Sequence, residues 1–170
     1  KSVGEVMSIG ATFPESLQKA LRSMEIGLTG LESITIPELG EGGDPSAILA
    51  ALARPTPDRL LLIAAALRAE IELEKIHRVT GYDRWFLEQI SKIVSMEVAI
   101  KAAGLPGDSA SWRALKGAGF SDARLSTLTG VEVSKVTGER HKHGVHPVYR
   151  RVDTCAAEFR AQTCYMYSTY

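Results

Sequence analysis

The feature that most limits the fold of this chain is a series of helix start signals spaced along its first half. Near the beginning, Thr12 and Glu15 stand three residues apart as a capping box, and Pro14 lies close to the first helical position. A capping side chain followed by proline recurs at Asp44-Pro45 and Thr56-Pro57, and Asp83 can cap a further helix. Such closely spaced starts predict several short helices joined by turns.

Apolar spacing gives the first and the longest helix their expected faces. The first helix is expected to be closed by Gly27, and its apolar face consists of Leu17, Ala20, Leu21 and Met24. The longest is expected from about Arg84 to Ala103, ending at Gly104. Its apolar stripe consists of Phe86, Ile90, Ile93, Val94 and Ile100.

Other segments predict shorter helices. The apolar run 60–67 is far below the roughly 18 residues that a membrane span needs, so it predicts a buried helix. Two short helices are expected at 111–118 and 121–128. A further one is expected at 131–140, although β-branched residues and Gly138 lower its helical preference.

The two flanks of the chain differ from this helical centre. Glycine and proline are dense between residues 28 and 43, which indicates a connector, and helical periodicity is lost from His146 onward, which favours extended or strand structure. The fold class predicted is therefore all-α, an irregular multi-helix domain with short extended or strand segments at both ends. The expected divisions are 1–27, the connector 28–43, the helical domain 44–148 and a linker 149–170.

The two ends suggest that the chain is a piece of a longer one. It begins with Lys1 instead of Met and finishes with three tyrosines in its last six residues, whereas natural termini are usually polar and solvated. The function is therefore expected to depend on a parent protein as well as on this piece.

Composition excludes several classes of function. Twenty basic and twenty acidic residues cancel, so no overall field attracts nucleic acid or anionic lipid. With no secretory signal and only two cysteines, the chain is expected in the reducing cytoplasm, with no nucleic-acid or membrane partner.

The residues themselves give little evidence of catalysis. The glycines lack the spacing of a phosphate-binding loop, and neither a nucleophile triad nor a pair of carboxylates stands out, so no catalytic residue and no cofactor is expected within the chain. His141, His143 and His146 form the sharpest local cluster. With Cys155 they raise the alternative of a free-standing zinc- or nickel-binding protein; a solvated basic loop is the other interpretation.

Two further groups are singled out by their composition. Asp83 to Phe86 combines a cap, a base and two large rings, which predicts a capped helix with aromatic residues in the core and leaves Arg84 to pair with a partner surface. Glu5 is the lone acid in a stretch of small and apolar residues. A buried carboxylate is costly unless it is paired, so an unusual environment is one reading of Glu5.

Several segments, in order and covering nearly the whole chain, resemble the large subunit of carbamoyl phosphate synthetase. Lys1–Gly10 and Glu15–Ser23 are similar to the segment that closes its first ATP-grasp unit. Asp83–Leu87 and Lys116–Asp122 are similar to its oligomerization domain. The run from Val148 to Phe159, with Tyr167–Tyr170, is similar to the linker into the second ATP-grasp unit, and it is the most specific of these matches.

The resemblance implies a parent ligase that makes carbamoyl phosphate from bicarbonate, glutamine-derived ammonia and two ATP. It implies ATP with Mg²⁺ in the parent, K⁺ as an additional candidate ion, a glutaminase small subunit as partner, and a place in arginine or pyrimidine biosynthesis. Residues 1–27 would then be the tail of the first ATP-grasp unit, and 149–170 the linker toward the second.

For the piece itself, the resemblance implies a non-catalytic domain that connects the two ATP-grasp units and self-associates into a dimer or larger assembly. Glu5 matches the glutamate that borders the carbamate tunnel in the family, and Ile48, Leu49 and Leu52 fall at its subunit contact; ordinary core packing is the alternative for these three. Ala11 stands where the family usually carries arginine, so any contact made by that arginine is absent or altered.

Overall fold

The computed structural model describes residues 5–34, 45–153, 158–159 and 161–170. Within these ranges the chain is mostly helical and has one pair of short strands, so the all-α prediction is confirmed. The elements are α1 (Phe13–Ser23), α2 (Pro45–Leu52), α3 (Arg59–Arg68), α4 (Leu73–Thr80), α5 (Arg84–Ala103), α6 (Ser109–Gly117), α7 (Asp122–Thr129), α8 (Val133–Lys142), β1 (Val148–Arg151) and β2 (Met166–Thr169). Most of the expected connector, together with Asp44 and Cys155, lies outside the described residues.

The chain divides into two compact units. Unit 1 combines Lys1–Gly30 with Ile100–Tyr170, and unit 2 is Leu31–Ala99. The boundaries expected from the sequence at residues 27, 43 and 148 stay predictions. None of the helices formed by the described residues has the length and apolar character needed to cross a membrane.

Unit 2 is built around α3, the helix expected from the apolar run. Its buried residues are Leu61, Leu62, Ile63, Ala64 and Ala66. Because apolar residues cover more than one face of α3, it packs against both α2 and α4. The helix begins at Arg59, two residues later than Thr56-Pro57 predicted, and the side chain of Asp58 makes no capping bond.

Helix α4 was not expected from the sequence. Its N-cap is Glu72, whose side chain makes no capping bond, so the usual start signal is missing. The helix has one buried residue, Ile76, and ends at Gly81, which adopts the left-handed φ of 70°. The stop signal was therefore present in the sequence while the start signal was not.

Helix α5 has the bounds that the sequence predicted, because Asp83 provides a strong local cap: its Oδ1 accepts a hydrogen bond from the Trp85 N–H at 2.8 Å. The predicted core role of Phe86 is wrong. Phe86 is 42% exposed, and the fully buried Leu87 begins the core stripe in its place. Residues 90, 93, 94 and 100 are buried as predicted.

A buried ion pair joins α3 and α5 within unit 2. Nη2 of Arg68 lies 2.6 Å from Oε2 of Glu97, and the same nitrogen donates to the Leu31 carbonyl. The Glu97 side chain is almost wholly excluded from solvent. The pairing allows the apolar stripe of α5 to include a carboxylate, since an unpaired buried charge is strongly destabilising.

In unit 1, α1 buries polar residues where an apolar face was expected. Its buried residues are Glu15, Gln18 and Leu21, so only Leu21 of the predicted face is in the core. Leu17, Ala20 and Met24 are half-buried. The helix ends at Ser23, four residues before Gly27, the residue that was expected to close it.

Side-chain caps define the start of each helix near Gly119. At the start of α1, Thr12 Oγ1 accepts a hydrogen bond from the Glu15 N–H. At the starts of α6 and α7, the side chains of Asp108 and Ser121 accept from the backbone N–H groups of Ser111 and Arg124. The reciprocal half of the α1 capping box is shifted by one residue, because Glu15 Oε2 accepts from the Ala11 N–H at 2.6 Å.

The strand prediction for the last part of the chain is confirmed. β1 and β2 form an antiparallel pair in which Val148 lies opposite Thr169 and Arg151 lies opposite Met166. The described residues that precede α1 form neither helix nor strand.

We expect Gly119→Ala to destabilise unit 1 by about 2–4 kcal/mol. Gly119 has a φ of +95°, and a Cβ there would lie 2.8 Å from the Glu15 Cα and 3.1 Å from the Gln18 Cβ. Chemical denaturation followed by circular dichroism measures the change. The matched control is Gly138→Ala in α8, where a Cβ meets nothing within 4 Å and the change should stabilise by about 0.5–1 kcal/mol. Equal stabilities of the two variants would contradict the assigned packing.

Candidate functional site

Helix α2 carries the three residues expected at a self-contact. Ile48 is 3% exposed and Leu52 is fully buried, and α2 packs on α3 and α4 of the same unit. Leu49 is half-buried, while Ser46 and Ala50 are exposed. Of the three, Leu49 therefore keeps the most surface available to a second molecule.

The start of α5 presents an exposed aromatic pair. Trp85 is 50% exposed and Phe86 is 42% exposed, and their rings meet edge to face with centroids 5.0 Å apart. Arg84, expected to seek a partner surface, instead binds Glu74 within unit 2. Its Nε and Nη2 donate to the two carboxylate oxygens at 3.0 Å each. Exposed tryptophan beside a second ring is a common feature of protein interfaces.

A dense ionic cluster lies where α6, α7 and α8 meet in unit 1. Asp122 Oδ1 lies 2.7 Å from Lys116 Nζ, and its Oδ2 lies 2.9 Å from Arg140 Nη2. The Thr137 hydroxyl donates to the same carboxylate at 2.9 Å. Lys116 also donates to the Phe120 carbonyl at 2.6 Å, and Arg140 donates to the Val145 carbonyl at 2.7 Å.

This environment changes the pKa values of both acid and base. Burial alone raises the pKa of Asp122, but hydrogen bonds from Arg140, Lys116 and Thr137 and the charge of Lys116 outweigh it and hold the pKa at about 2. Burial lowers the pKa of Lys116, and the bond and charge of Asp122 oppose that effect. Asp122 is therefore ionised near neutral pH, and its carboxylate holds three helices together.

A second polar group is centred on α1. Lys19 Nζ lies 3.2 Å from the buried carboxylate of Glu15, donates to the Ile9 carbonyl at 2.9 Å and also donates to the Ser168 carbonyl. Gln18 Nε2 donates to the Ala118 carbonyl at 2.9 Å. One turn later, Arg22 Nη1 donates to the Gly119 carbonyl at 2.7 Å.

The two polar groups border a pocket of about 380 Å³ within unit 1. Lys19, Arg22 and Lys116 contribute cations to its lining, and Tyr149 and Tyr170 contribute rings. The Tyr170 ring lies under Lys116 Nζ, 5.1 Å from it to the centroid. Sequence reasoning missed this pocket, because its members come from three segments far apart in the chain, 15–22, 116–122 and 147–170.

Glu5, predicted to border a tunnel, is exposed in the described structure. It lies in the segment that precedes α1, and the residues before it are outside the described ranges. Its assignment stays a prediction that follows from the resemblance alone.

Among the described residues, the three histidines do not converge on a metal site; Cys155 lies outside the described ranges. The rings of His141 and His146 are stacked with centroids 4.7 Å apart, and His143 closes the end of α8. Within the described ranges, no group of three or more His, Cys, Asp or Glu side chains could hold a metal ion. The alternative of a free-standing metal-binding protein is therefore not favoured.

The described residues form a mostly helical domain with one pair of short strands, and comparisons with known proteins agree with this class. Residues 5–144 match the family model for the carbamoyl-phosphate synthetase large chain, oligomerisation domain. The chain is 56% identical to the carbamoyl phosphate synthase large chain of Mesorhizobium japonicum and 55% identical to that of Brucella melitensis, in both cases over 100% of this chain and 15% of the relative. It is 46% identical to the protein of the same name from Vibrio cholerae, over 100% of this chain and 16% of the relative.

The chain belongs to the carbamoyl-phosphate synthetase large chain oligomerisation domain family. It spans about 15% of the length of the curated relatives that it matches. The resemblance recognised from the sequence is confirmed.

We expect Asp122→Asn to destabilise the chain at pH 7 by at least about 2 kcal/mol, because Lys116 and Arg140 lose their shared counter-charge. The folded-state pKa of about 2 is below the ordinary 3.8, so the carboxylate stabilises the fold above about pH 4 and this contribution is lost as the pH falls toward 2. The stability difference between wild type and variant should therefore shrink by about 1–2 kcal/mol over that range, after allowance for partial solvent exposure.

Urea denaturation at several pH values measures this difference. Glu88→Gln is the matched control, because Glu88 is an exposed acid on α5. Its stability should follow the wild type at every pH. If the difference in unfolding free energy between wild type and Asp122→Asn stays constant from pH 7 to pH 2, the ionic role of Asp122 is contradicted.

Proposed function

We propose that this chain is the self-association and connecting domain of a carbamoyl phosphate synthase large chain and contributes no catalytic residue. The observation that carries the proposal is the match of residues 5–144 to an oligomerisation domain. The ionic cluster around Asp122 supports it, because Lys116 and Asp122 are engaged in holding helices together. In this proposal the parent is an ATP-dependent ligase that uses Mg²⁺, takes up ammonia released by a glutaminase small subunit, and produces carbamoyl phosphate from bicarbonate.

The proposed self-contact is centred on α2. Ile48 and Leu52 pack within unit 2, so their part is to hold α2 in place, and the half-buried Leu49 would make the contact itself. An isologous contact repeats the same patch on both copies, so one apolar helix face is sufficient to form it.

We expect Leu49→Glu to shift the chain toward monomer, because two like charges would face each other across a two-fold contact. Sedimentation velocity at several protein concentrations measures the mass. Thermal unfolding should change little, since the side chain reaches solvent. Ile48→Glu should instead lower the melting temperature strongly, since it places a charge in the core of unit 2.

The control is Ala110→Glu, an exposed position in the first turn of α6 where an acid is compatible with the helix dipole. It should leave both mass and stability unchanged. A Leu49→Glu chain that is folded and has the wild-type mass distribution would refute the α2 contact.

We also propose that Glu5 borders a passage for carbamate in the parent. The support for this is the resemblance of the segment around Glu5 to the family; the exposed carboxylate can accept hydrogen bonds. In a full-length parent that carries this domain, Glu5→Ala should raise the ratio of ATP consumed to carbamoyl phosphate formed, because carbamate would be lost to water.

The matched control is Glu88→Ala, which removes an exposed glutamate of α5. It should keep the wild-type ratio. A wild-type ratio of ATP consumed to carbamoyl phosphate formed in the Glu5→Ala enzyme would contradict the role of Glu5, whatever the result for the α2 contact.

A further inference from the structure

Arg22 stands out among the cations that line the pocket between the Asp122 cluster and α1, here called the pocket of unit 1, and it also lines a second pocket of the same unit. Lys19 is paired with Glu15, and Lys116 is paired with Asp122, which also binds Arg140. Within the described part of the chain, Arg22 has no carboxylate within ion-pair distance, and its guanidinium donates one hydrogen bond, from Nη1 to the Gly119 carbonyl. Arg22 is thus a half-buried cation without a counter-ion.

The unused donors of Arg22 have a defined geometry. A guanidinium carries five N–H donors in a planar fork, and the bond to Gly119 uses one of them. The Nε and Nη2 edge has no partner among the described residues, and this edge binds two oxygens of one oxyanion side by side. Arg84 in the same chain shows the arrangement, with Nε and Nη2 each 3.0 Å from an oxygen of Glu74.

The surroundings of Arg22 favour an anion. Three cationic and two acidic side chains line the pocket together with Tyr170, and Arg140 adds a further positive charge behind Asp122. Both carboxylates are already bound by cations, so the excess positive charge is left at Arg22. Burial lowers the pKa of the guanidinium, with Tyr170 and Glu15 opposing that effect. An anion at this position would offset the unfavourable burial of the charge.

The backbone holds Arg22 firmly enough to make a site. Its Nη1 is anchored to the carbonyl of Gly119, where backbone packs against backbone: a Cβ on this glycine would lie 2.8 Å from the Glu15 Cα. Lys19, one turn earlier on α1, is fixed to the carbonyls of Ile9 and Ser168. The free edge of the fork is therefore preorganised, which lowers the entropic cost of binding.

We propose that the pocket of unit 1 is an oxyanion site in which Arg22 binds a phosphate or carboxylate group through its Nε and Nη2 edge. The volume of about 380 Å³ accommodates more than a bare ion, and Tyr149 and Tyr170 line it. The site thus suits a small organic ligand that carries an oxyanion and presents a planar or apolar part to the rings.

Titration of the 170-residue chain with inorganic phosphate, phenyl phosphate and acetate at constant ionic strength tests the site and separates the sources of the oxyanion. Isothermal calorimetry gives the affinities. Phosphate should bind more tightly than acetate because it carries the greater charge. Phenyl phosphate should bind at least about threefold more tightly than inorganic phosphate if the rings take part, and equal affinities would restrict the site to the bare oxyanion.

Arg22→Gln should weaken phosphate binding by at least about tenfold, since it removes a charge-assisted bidentate contact. Arg22→Lys keeps the charge but loses the planar fork of donors, so its phosphate affinity should lie between that of Arg22→Gln and that of the wild type. Arg113→Gln, at an exposed arginine of α6, is the matched control and should bind as the wild type does.

Nuclear magnetic resonance of the unchanged chain provides a test that does not depend on any variant folding correctly. The Nε–H resonance of Arg22 should shift on addition of phosphate, and the Nε–H of Arg113 should not. No phosphate-dependent shift at Arg22, or equal affinity of the wild type and folded Arg22→Gln, would overturn the proposal. Neither result bears on self-association through α2, so failure of one proposal is distinguishable from failure of the other.

Discussion

The carboxylate of Asp122 is the constraint on which the helical part of unit 1 depends. It stands at the first position of α7 and binds one cation from α6 and one from α8. Such a cluster is favourable only when all its members are present. Each charge has lost much of its hydration, and an unpaired buried charge is strongly destabilising. The two cations also donate to the carbonyls of residues 120 and 145, so the same charges secure the turns that join these helices. A substitution at this position would therefore disturb three helices together.

Sequence reasoning succeeded where structure is set by local chemistry. The capped starts at Thr12 and Asp83 were found because the cap and the amide that it binds are three or fewer residues apart. Helix α4 was missed because Glu72 gives no recognisable cap. The stripe of α5 was placed correctly except at Phe86, because two neighbouring apolar residues satisfy the helical period almost equally and only packing selects Leu87.

The candidate site could be predicted only in part. Resemblance supplied the roles of Glu5 and Ile48, whereas composition marked Glu5 only as a lone acid. The buried Glu15 and Gln18 were invisible for a different reason: both read as polar surface residues of α1 until the backbone near Gly119 is brought against them. The sequence alone likewise could not predict a binding role for Arg22, because the residues that surround it lie between positions 15 and 170. Chemistry that depends on distant partners has no local signature.

The division of the chain also determines the order in which its parts can form. Unit 2 is continuous from residue 31 to residue 99, whereas unit 1 needs segments on both sides of it. The ribosome synthesises α1 before unit 2. Lys19 of α1, however, donates to the carbonyl of Ser168, which lies 149 residues further along the chain. Since loop closure must precede such long-range contacts, unit 1 cannot be completed until unit 2 has been synthesised. Until then, Gln18, Lys19 and Arg22 lack the carbonyls of Ala118, Ser168 and Gly119 to which they donate in the complete unit.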